Sequence, residues 1–172
     1  GSHITFFPVE TDHYVNTVTN EHIRITRNTN KTVYIKESPN NGKWFFNKSG
    51  YLIKYEDLNG NILTVDRKGA LIDSVIDQRR KELKFTYNKK NKIKTIVDHN
   101  GKEWHYTYDR RDHLISVKKP DGTTDSFSYD NSHNLVSWSR PGIGAIKMAY
   151  DTKKDRLIEQ KGPEKQHSRY LY

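Results

Sequence analysis

The chain has 172 residues, a formal net charge of +9 and a mean hydropathy of −0.99, and 33% of its residues are hydrophobic. This apolar content is low for a packed core, but 12% aromatic residues, including 11 Tyr, are more than disordered chains carry. The absence of Cys excludes disulfides, thiolate zinc sites and cysteine nucleophiles in this segment. No apolar run reaches the roughly 18 residues that a membrane helix needs.

The N-terminal section, residues 4–43, is predicted to be an atypical β-hairpin region. Residues 1–3 are expected to be a cloning remnant. The runs His22–Arg27 and Thr32–Lys36 alternate apolar and polar residues, and Asn28–Asn30 joins them. This alternation around a short polar connection predicts two antiparallel strands.

Residues 44–172 are predicted to contain about six copies of one repeat. Its marker is an aromatic residue, any residue, Tyr, then Asp or Asn. From Asn88 to Asp109, to Asp130 and to Asp151 the step is 21 residues each time. The four clear copies are Phe85-Thr-Tyr87-Asn88, Tyr106-Thr-Tyr108-Asp109, Phe127-Ser-Tyr129-Asp130 and Met148-Ala-Tyr150-Asp151.

Each repeat is predicted to form two strands and two turns. Alternate residues of a strand point to the same face, so Tyr106 and Tyr108 share one face. A polar loop follows Asp109, and Gly101 and Gly122 mark the opposite turns. We expect the Asp or Asn after each Tyr to accept backbone N–H groups in its turn. The segment Asp77–Glu82 is the most favourable place for a helix.

One repeat alone is not expected to be stable. Ordering 21 residues costs roughly 1–2 kcal/mol each, which exceeds what about six large apolar residues return on burial. Each repeat therefore needs the strand edge and aromatic face of its neighbours, as in solenoid-like arrays. The tyrosine stripe is predicted to be a packing device, with a platform for ligand stacking as the alternative.

These repeats resemble the RHS/YD family, whose pattern is a Tyr-Asp pair, a short polar loop, a β-run, a Gly turn and a Thr-rich strand. The pattern is carried by Tyr108-Asp109, Leu114, Asp121-Gly122, Tyr129-Asp130 and Asn134-Leu135. The loop departs from it, because Asp112, Ser132 and Asp155 replace the family's frequent Gly. The predicted structural motif residues are Tyr87, Asn88, Tyr108, Asp109, Tyr129, Asp130, Tyr150, Asp151, Gly101 and Gly122.

The resemblance implies an all-β fold, a curved antiparallel sheet of consecutive hairpins that is a fragment of an RHS-type β-shell. In RHS toxins, Tc toxins and teneurins such sheets wind into a hollow shell. The Lys- and Asn-rich composition resembles wall-associated RHS proteins of Gram-positive bacteria, in which the shell precedes a C-terminal toxin used in competition between cells. The family's self-cleaving Asp-Pro signature is absent from this chain.

We therefore expect a secreted or cell wall-associated segment whose partners are the remaining repeats and the toxin of the parent chain. An open sheet edge would also favour a dimer. The chain is not expected to be an enzyme or to hold a cofactor, because no serine elbow, P-loop or Rossmann glycine pattern occurs. The carboxylate pairs Glu56-Asp57 and Asp109/Asp112 lack a predicted concave site that would separate their pKa values.

Two binding hypotheses remain. His99, Glu103 and His105 flank a turn and could hold a metal, but exposed hairpin positions are the favoured explanation for all three. A cationic rim could bind an anionic wall polymer or a glycan, but not a specific nucleic acid, because its loops lack base-stacking aromatics. The rim residues are Lys89, Lys90, Arg110, Arg111, Lys153 and Lys154.

Overall fold

The computed structural model describes residues 5–28, 31–163 and 166–171. Within these ranges all regular secondary structure is β, in 17 strands without a helix. No helix in the described part is therefore long and apolar enough to cross a membrane. The chain divides into two compact units with the boundary between Phe85 and Thr86. The domain boundary that the sequence suggests, at residue 43, stays a prediction.

Nine strands belong to the first unit, the last of which crosses the boundary. They are β1 Phe7–Glu10, β2 His13–Asn16, β3 Glu21–Asn28, β4 Lys31–Ser38, β5 Gly42–Asn47, β6 Leu52–Glu56, β7 Ile62–Lys68, β8 Leu71–Asp77 and β9 Glu82–Tyr87. Each of the first eight pairs antiparallel with the next strand along the chain. The expected hairpin is β3–β4, with Ile25 opposite Tyr34; residues 29–30 of its connection lie outside the described residues.

The second unit follows the same rule. Its strands are β10 Ile93–Val97, β11 Glu103–Tyr108, β12 Leu114–Lys118, β13 Thr124–Tyr129, β14 Leu135–Arg140, β15 Gly144–Asp151, β16 Arg156–Lys161 and β17 His167–Arg169. Each again pairs antiparallel with its successor. The predicted all-β fold of consecutive antiparallel hairpins is therefore confirmed.

The aromatic residues of the second unit gather on one face of the sheet. Along β11, exposed residues alternate with half-buried ones, which include Trp104 and Tyr106. Cross-strand partners share a face, and Tyr106 lies opposite Val117 while Phe127 lies opposite Trp138. The apolar side chains thus cover one another across the strands.

This cover is partial. Among the described residues only Val65, at 9% exposure, is a buried hydrophobic residue, and no large side chain is fully buried. A sheet normally buries one face against a second layer. Here the aromatic faces are shielded mainly by neighbouring side chains, so most of their residues stay at intermediate exposure.

A β-bulge recurs where the Tyr of the repeat is paired. Thr107 lies opposite Ser116 but Tyr108 lies opposite Leu114, so Ile115 is an extra residue on β12. The same shift occurs at Ser128/Tyr129 and at Ala149/Tyr150. A bulge accommodates two successive apolar residues that strict alternation would send to opposite faces. It therefore explains the Leu114-Ile115 and Leu135-Val136 pairs that open β12 and β14.

The prediction that Asp77–Glu82 is the most favourable place for a helix is wrong. This segment is the tight turn between β8 and β9, in which the Asp77 N–H donates to the Lys81 carbonyl at 3.0 Å. The Asp77 carboxylate also accepts the N–H groups of Arg79 and Lys81, at 2.9 and 2.8 Å. The four residues between the two strands are too few to offset helix nucleation, and the carboxylate stabilises the turn instead.

Arg80 in this turn adopts a positive φ of 63°, a conformation that suits glycine. We predict that Arg80→Gly raises the free energy of unfolding by about 1 kcal/mol, because a left-handed residue with a Cβ costs roughly that much. Arg79→Gly is the matched control, since it removes the same charge one residue earlier. It should lower the free energy by about 0.5–1 kcal/mol. Urea denaturation measures both, and equal effects would contradict the prediction.

Candidate functional site

The Asp or Asn that follows each repeat Tyr closes its own turn. The Asp109 carboxylate accepts the N–H of Arg111 at 2.8 Å and of His113 at 2.9 Å. Asn88, Asp130 and Asp151 accept two backbone N–H groups in the same way. The hydrogen bonds expected for these turn residues are therefore present. They satisfy donors that the short loop would otherwise leave unpaired.

These bonds also set the charge state of the turn carboxylates. The pKa of Asp130 is lowered by the backbone N–H of Asn134, and that of Asp151 by the N–H of Lys153. For Asp109, burial alone would raise the pKa, but the hydrogen bonds from His113 outweigh it and the pKa is lowered. The carboxylates are thus held ionised by the turns that they stabilise.

A residue with positive φ occupies the fourth position of each of these five-residue turns. The φ angles are 59° at Asn91, 67° at Asp112 and 69° at His133. The sequence assigned Ser132 to the family's Gly position, which is wrong, because counting from Asp130 puts the left-handed residue at His133. Asp155, with φ 53°, comes one residue later in its turn, because the loop from Asp151 to Leu157 is one residue longer than the others.

The hydroxyl of the repeat Tyr bonds back to the preceding repeat. Tyr129 Oη donates to the carbonyl of Leu114 at 3.1 Å, and Tyr150 Oη donates to Leu135 at 3.1 Å. Each acceptor is the first residue of a strand that begins with a bulge. Burial raises the pKa of both tyrosines, so they stay protonated donors at neutral pH.

Side chains of consecutive turns are also bonded to one another in the second unit. All these contacts join residues 20–22 apart in the chain. They are Lys90–Asp112 at 2.8 Å, Arg111–Asn131 at 3.4 Å, His113–His133 at 2.6 Å and Asn134–Asp155 at 2.6 Å. The turn edge is therefore a chain of contacts, each linking one repeat to the next.

The cations predicted to form a rim lie at exposed positions of these turns. Two of the six are engaged with the next turn, since Lys90 pairs with Asp112 and Arg111 bonds to Asn131. Lys89 and Arg110 stand at the exposed position directly after the turn Asn or Asp. The turn carboxylates lie between the cations, so the rim is a surface of mixed charge.

The metal hypothesis gains no support from the geometry. His105 Nε2 lies 3.1 Å from the Glu103 carboxylate, and its Nδ1 lies 3.4 Å from the hydroxyl of Thr95. His99 sits in the turn that precedes β11. Among the described residues, no group of three or more His, Asp or Glu is arranged to hold a metal ion.

Neither predicted carboxylate pair forms an acid–base pair. Glu56 bonds to Lys54 at 3.1 Å, and Asp57 closes its own turn by accepting the N–H of Asn61 at 2.8 Å. The pKa of Asp57 is lowered by the Asn61 side chain, whereas a general acid needs a raised one. In the second pair, Asp112 bonds to Lys90, and Asp109 accepts backbone N–H groups of its own turn. These carboxylates serve local structure.

An ion cluster that sequence reasoning missed lies at Asp125 on β13. This carboxylate is 6% exposed and accepts Arg140 Nε at 3.0 Å, Arg140 Nη2 at 2.8 Å and Lys119 Nζ at 2.8 Å. The hydrogen bonds from Arg140 lower its pKa to about 2. The sequence does contain a sign of this cluster, because Asp125 shares a strand face with Phe127 and Tyr129, where the alternation predicts aromatic residues.

Comparison with known families bears on the repeats directly. The RHS Repeat family model matches residues 87–124 and 108–142. Residues 87–142 therefore match RHS repeats. The two matches overlap at residues 108–124, which contain β12 and the turns on either side of it, as expected for copies of one unit in register. No curated protein sequence matches this chain.

The fold of this chain is similar to solved Tc toxin structures. With the crystal structure of TcdB2-TccC3-Cdc42 the TM-score is 0.55 at 14% identity, covering 87% of this chain and 9% of that chain. With a Tc holotoxin pore of Photorhabdus luminescens the TM-score is 0.57, at the same identity and coverage. The likeness shows the fold alone, and the chain spans 9% of the length of those structures.

The hydroxyl bond of Tyr129 predicts a specific loss. Tyr129→Phe should lower the free energy of unfolding by about 1 kcal/mol, because it leaves the Leu114 carbonyl without its donor. Tyr106→Phe is the control, since Tyr106 lies on the same face and no hydroxyl partner is described for it. It should change the free energy by less than about 0.5 kcal/mol. Equal losses in urea denaturation would refute the role of the hydroxyl.

The Asp125 cluster predicts a pH-dependent contribution to stability. Its folded pKa of about 2 lies below the ordinary 3.8, so its contribution is complete above about pH 4 and is lost as the pH falls toward 2. Asp125→Asn should cost about 2 kcal/mol at neutral pH, and the cost should shrink toward pH 2. Glu103→Gln, in an exposed pair, should cost at most about 0.5 kcal/mol. A pH-independent cost of Asp125→Asn would exclude the ionic origin.

Proposed function

We propose that this chain is a non-catalytic structural segment of a larger RHS shell. The observation that carries the proposal is the series of contacts between consecutive turns, because it uses the polar side chains of the repeat to hold the next repeat. The half-buried aromatic face supports it, since such a face needs neighbouring repeats to be covered further.

The absence of catalysis is part of the proposal. The carboxylates of the described residues that the sequence singled out are bonded to turn N–H groups or to cations. Their resolved pKa shifts are downward, which suits structural anions. A catalytic pair would need one carboxyl held neutral near pH 7.

The finer role follows from the resemblance to RHS toxins. We infer that the parent protein is secreted or cell wall-associated and that its shell encloses or presents a C-terminal toxin in competition between bacteria. The partners of this segment are then the remaining repeats and that toxin. An isolated segment, in which the outer edges of the end strands are open, would tend to dimerise through such an edge.

Limited proteolysis of the full parent protein tests this role. The segment C-terminal to the repeats should be cleaved much more slowly within the parent than when it is produced alone. The double variant Tyr129→Phe/Tyr150→Phe should speed its cleavage, because it weakens two repeat-to-repeat bonds, whereas Tyr106→Phe should not. Equal cleavage rates in the parent and in isolation would exclude enclosure.

A second candidate function is binding of an anionic wall polymer or a glycan. It is favoured by the exposed cations that recur in the turns, which are Lys89, Arg110, Lys153 and Lys154. It is weakened by the pairing of Lys90 with Asp112, which neutralises a fifth cation of the rim. Binding of heparin or teichoic acid that persists at about 0.15 M salt, where exposed charges are screened beyond about 8 Å, would favour this function.

A further inference from the structure

Two consecutive turns of the second unit are joined by a chain of three titratable side chains. The Asp109 carboxylate lies 2.8 Å from His113 Nδ1, and His113 Nε2 lies 2.6 Å from His133 Nδ1. The first bond stays within one turn, whereas the second joins two repeats. His113 therefore connects a carboxylate of its own turn to a histidine of the next.

Packing fixes the ring of His113 but leaves His133 accessible. The His113 side chain is 12% exposed and stacks on Tyr129, with ring centroids 4.5 Å apart and planes 16° apart. His133 is exposed and meets His113 edge-on, at 65° and 4.8 Å between centroids. Each facing nitrogen thus points along the ring plane toward the other, as an N–H···N hydrogen bond requires.

The carboxylate determines how protons are arranged along this chain. An ionised carboxylate only accepts, so Nδ1 of His113 carries a proton and Nε2 is left to accept from His133. One added proton is tolerated, because a single hydrogen still lies between the two facing nitrogens. A second added proton puts a hydrogen on both nitrogens, and they cannot remain 2.6 Å apart.

We propose that the His113–His133 pair is a pH-dependent connection between consecutive repeats, held by one shared proton and released when both rings are protonated. The connection is closed near neutral pH, where at least one ring is neutral, and opens in acid. Histidine is the side chain whose ordinary titration lies between pH 5 and 8. The segment would therefore lose one repeat-to-repeat contact in mild acid while its carboxylates remain ionised.

Three carboxylates, one tyrosine and one lysine surround the pair. Asp109 contacts His113 directly, and Asp130 begins the turn that contains His133. The pKa of Asp130 is lowered by the backbone N–H and the side chain of Asn134, and to a smaller extent by the charge of His133. Tyr129 from β13 is neutral. On the other side of His113, Asp112 is offset by Lys90 of the preceding turn. A second added proton would put two positive charges on rings whose facing nitrogens are only 2.6 Å apart.

The first unit provides a comparison within the same chain. His13 Nε2 and His22 Nδ1 are 2.9 Å apart, with ring centroids 5.2 Å apart and ring planes 26° apart. Among the described residues His13 Nδ1 has no hydrogen-bond partner, and the Glu10 carboxylate lies 3.9 Å away. This pair lacks the hydrogen-bonded carboxylate that fixes the proton arrangement at His113.

The test is an NMR titration of the histidine rings in the full chain between pH 8 and 4. The resonances of His113 and His133 should each report two steps separated by about 1 pH unit or more, because strongly coupled groups titrate as a pair. His99, exposed in a turn without a histidine neighbour, should show one step. In His133→Asn, which suits the positive φ at this position, His113 should show one step.

Thermal unfolding gives a second readout. The melting temperature of the wild type should exceed that of His133→Asn at neutral pH, and the difference should disappear in acid, whereas the difference for His99→Asn should stay nearly constant. Independent single-step titrations of His113 and His133, or a constant difference for His133→Asn, would overturn the proposal. Two-step behaviour that a chelator abolishes would also overturn it, in favour of a metal between the rings.

Discussion

The fold depends on one interaction, the acceptance of two backbone N–H groups by the Asp or Asn that opens a turn. It occurs at the turns that follow the repeat Tyr, such as Asp109, and also at turns on the other side of the hairpins, such as Asp57 and Asp98. The loops are too short to pair these donors with backbone carbonyls alone. An ionised side chain supplies the missing acceptor and fixes the loop length, and with it the register of the next strand.

The Tyr-Asp dipeptide can be understood from this constraint. Asp109 acts within its own turn, whereas the repeat Tyr, as seen at Tyr129, donates to a carbonyl 15 residues earlier. Two adjacent residues thus bond in opposite directions along the chain, one to the turn ahead and one to the repeat behind. The bulge beside the Tyr brings the carbonyl of Leu114 into reach while accommodating the extra Ile115. A phenylalanine would keep the packing but lose the backward bond.

Charge in this protein acts through local partners. The net charge of +9 and the repeated basic pairs indicated a cationic rim from position alone. Pairing across the 21-residue step changes that interpretation, because Lys90 meets Asp112 and Arg111 meets Asn131. The same step brings His113 to His133, two residues that look like ordinary exposed loop positions in the sequence. The Asp125 cluster likewise joins residues 15 apart that no local pattern relates.

The sequence by itself determined the period, the all-β fold and the role of the turn Asp and Asn, because these depend on residues close together in the chain. It misassigned Asp77–Glu82 and the left-handed position at His133, since a shift of one residue in a short loop leaves little trace in composition. Only the tertiary structure decided which side chains meet across the period. Contacts such as Lys90–Asp112 and Asp125–Arg140 require the register of paired strands, which bulges shift by one residue and which a one-dimensional pattern does not contain.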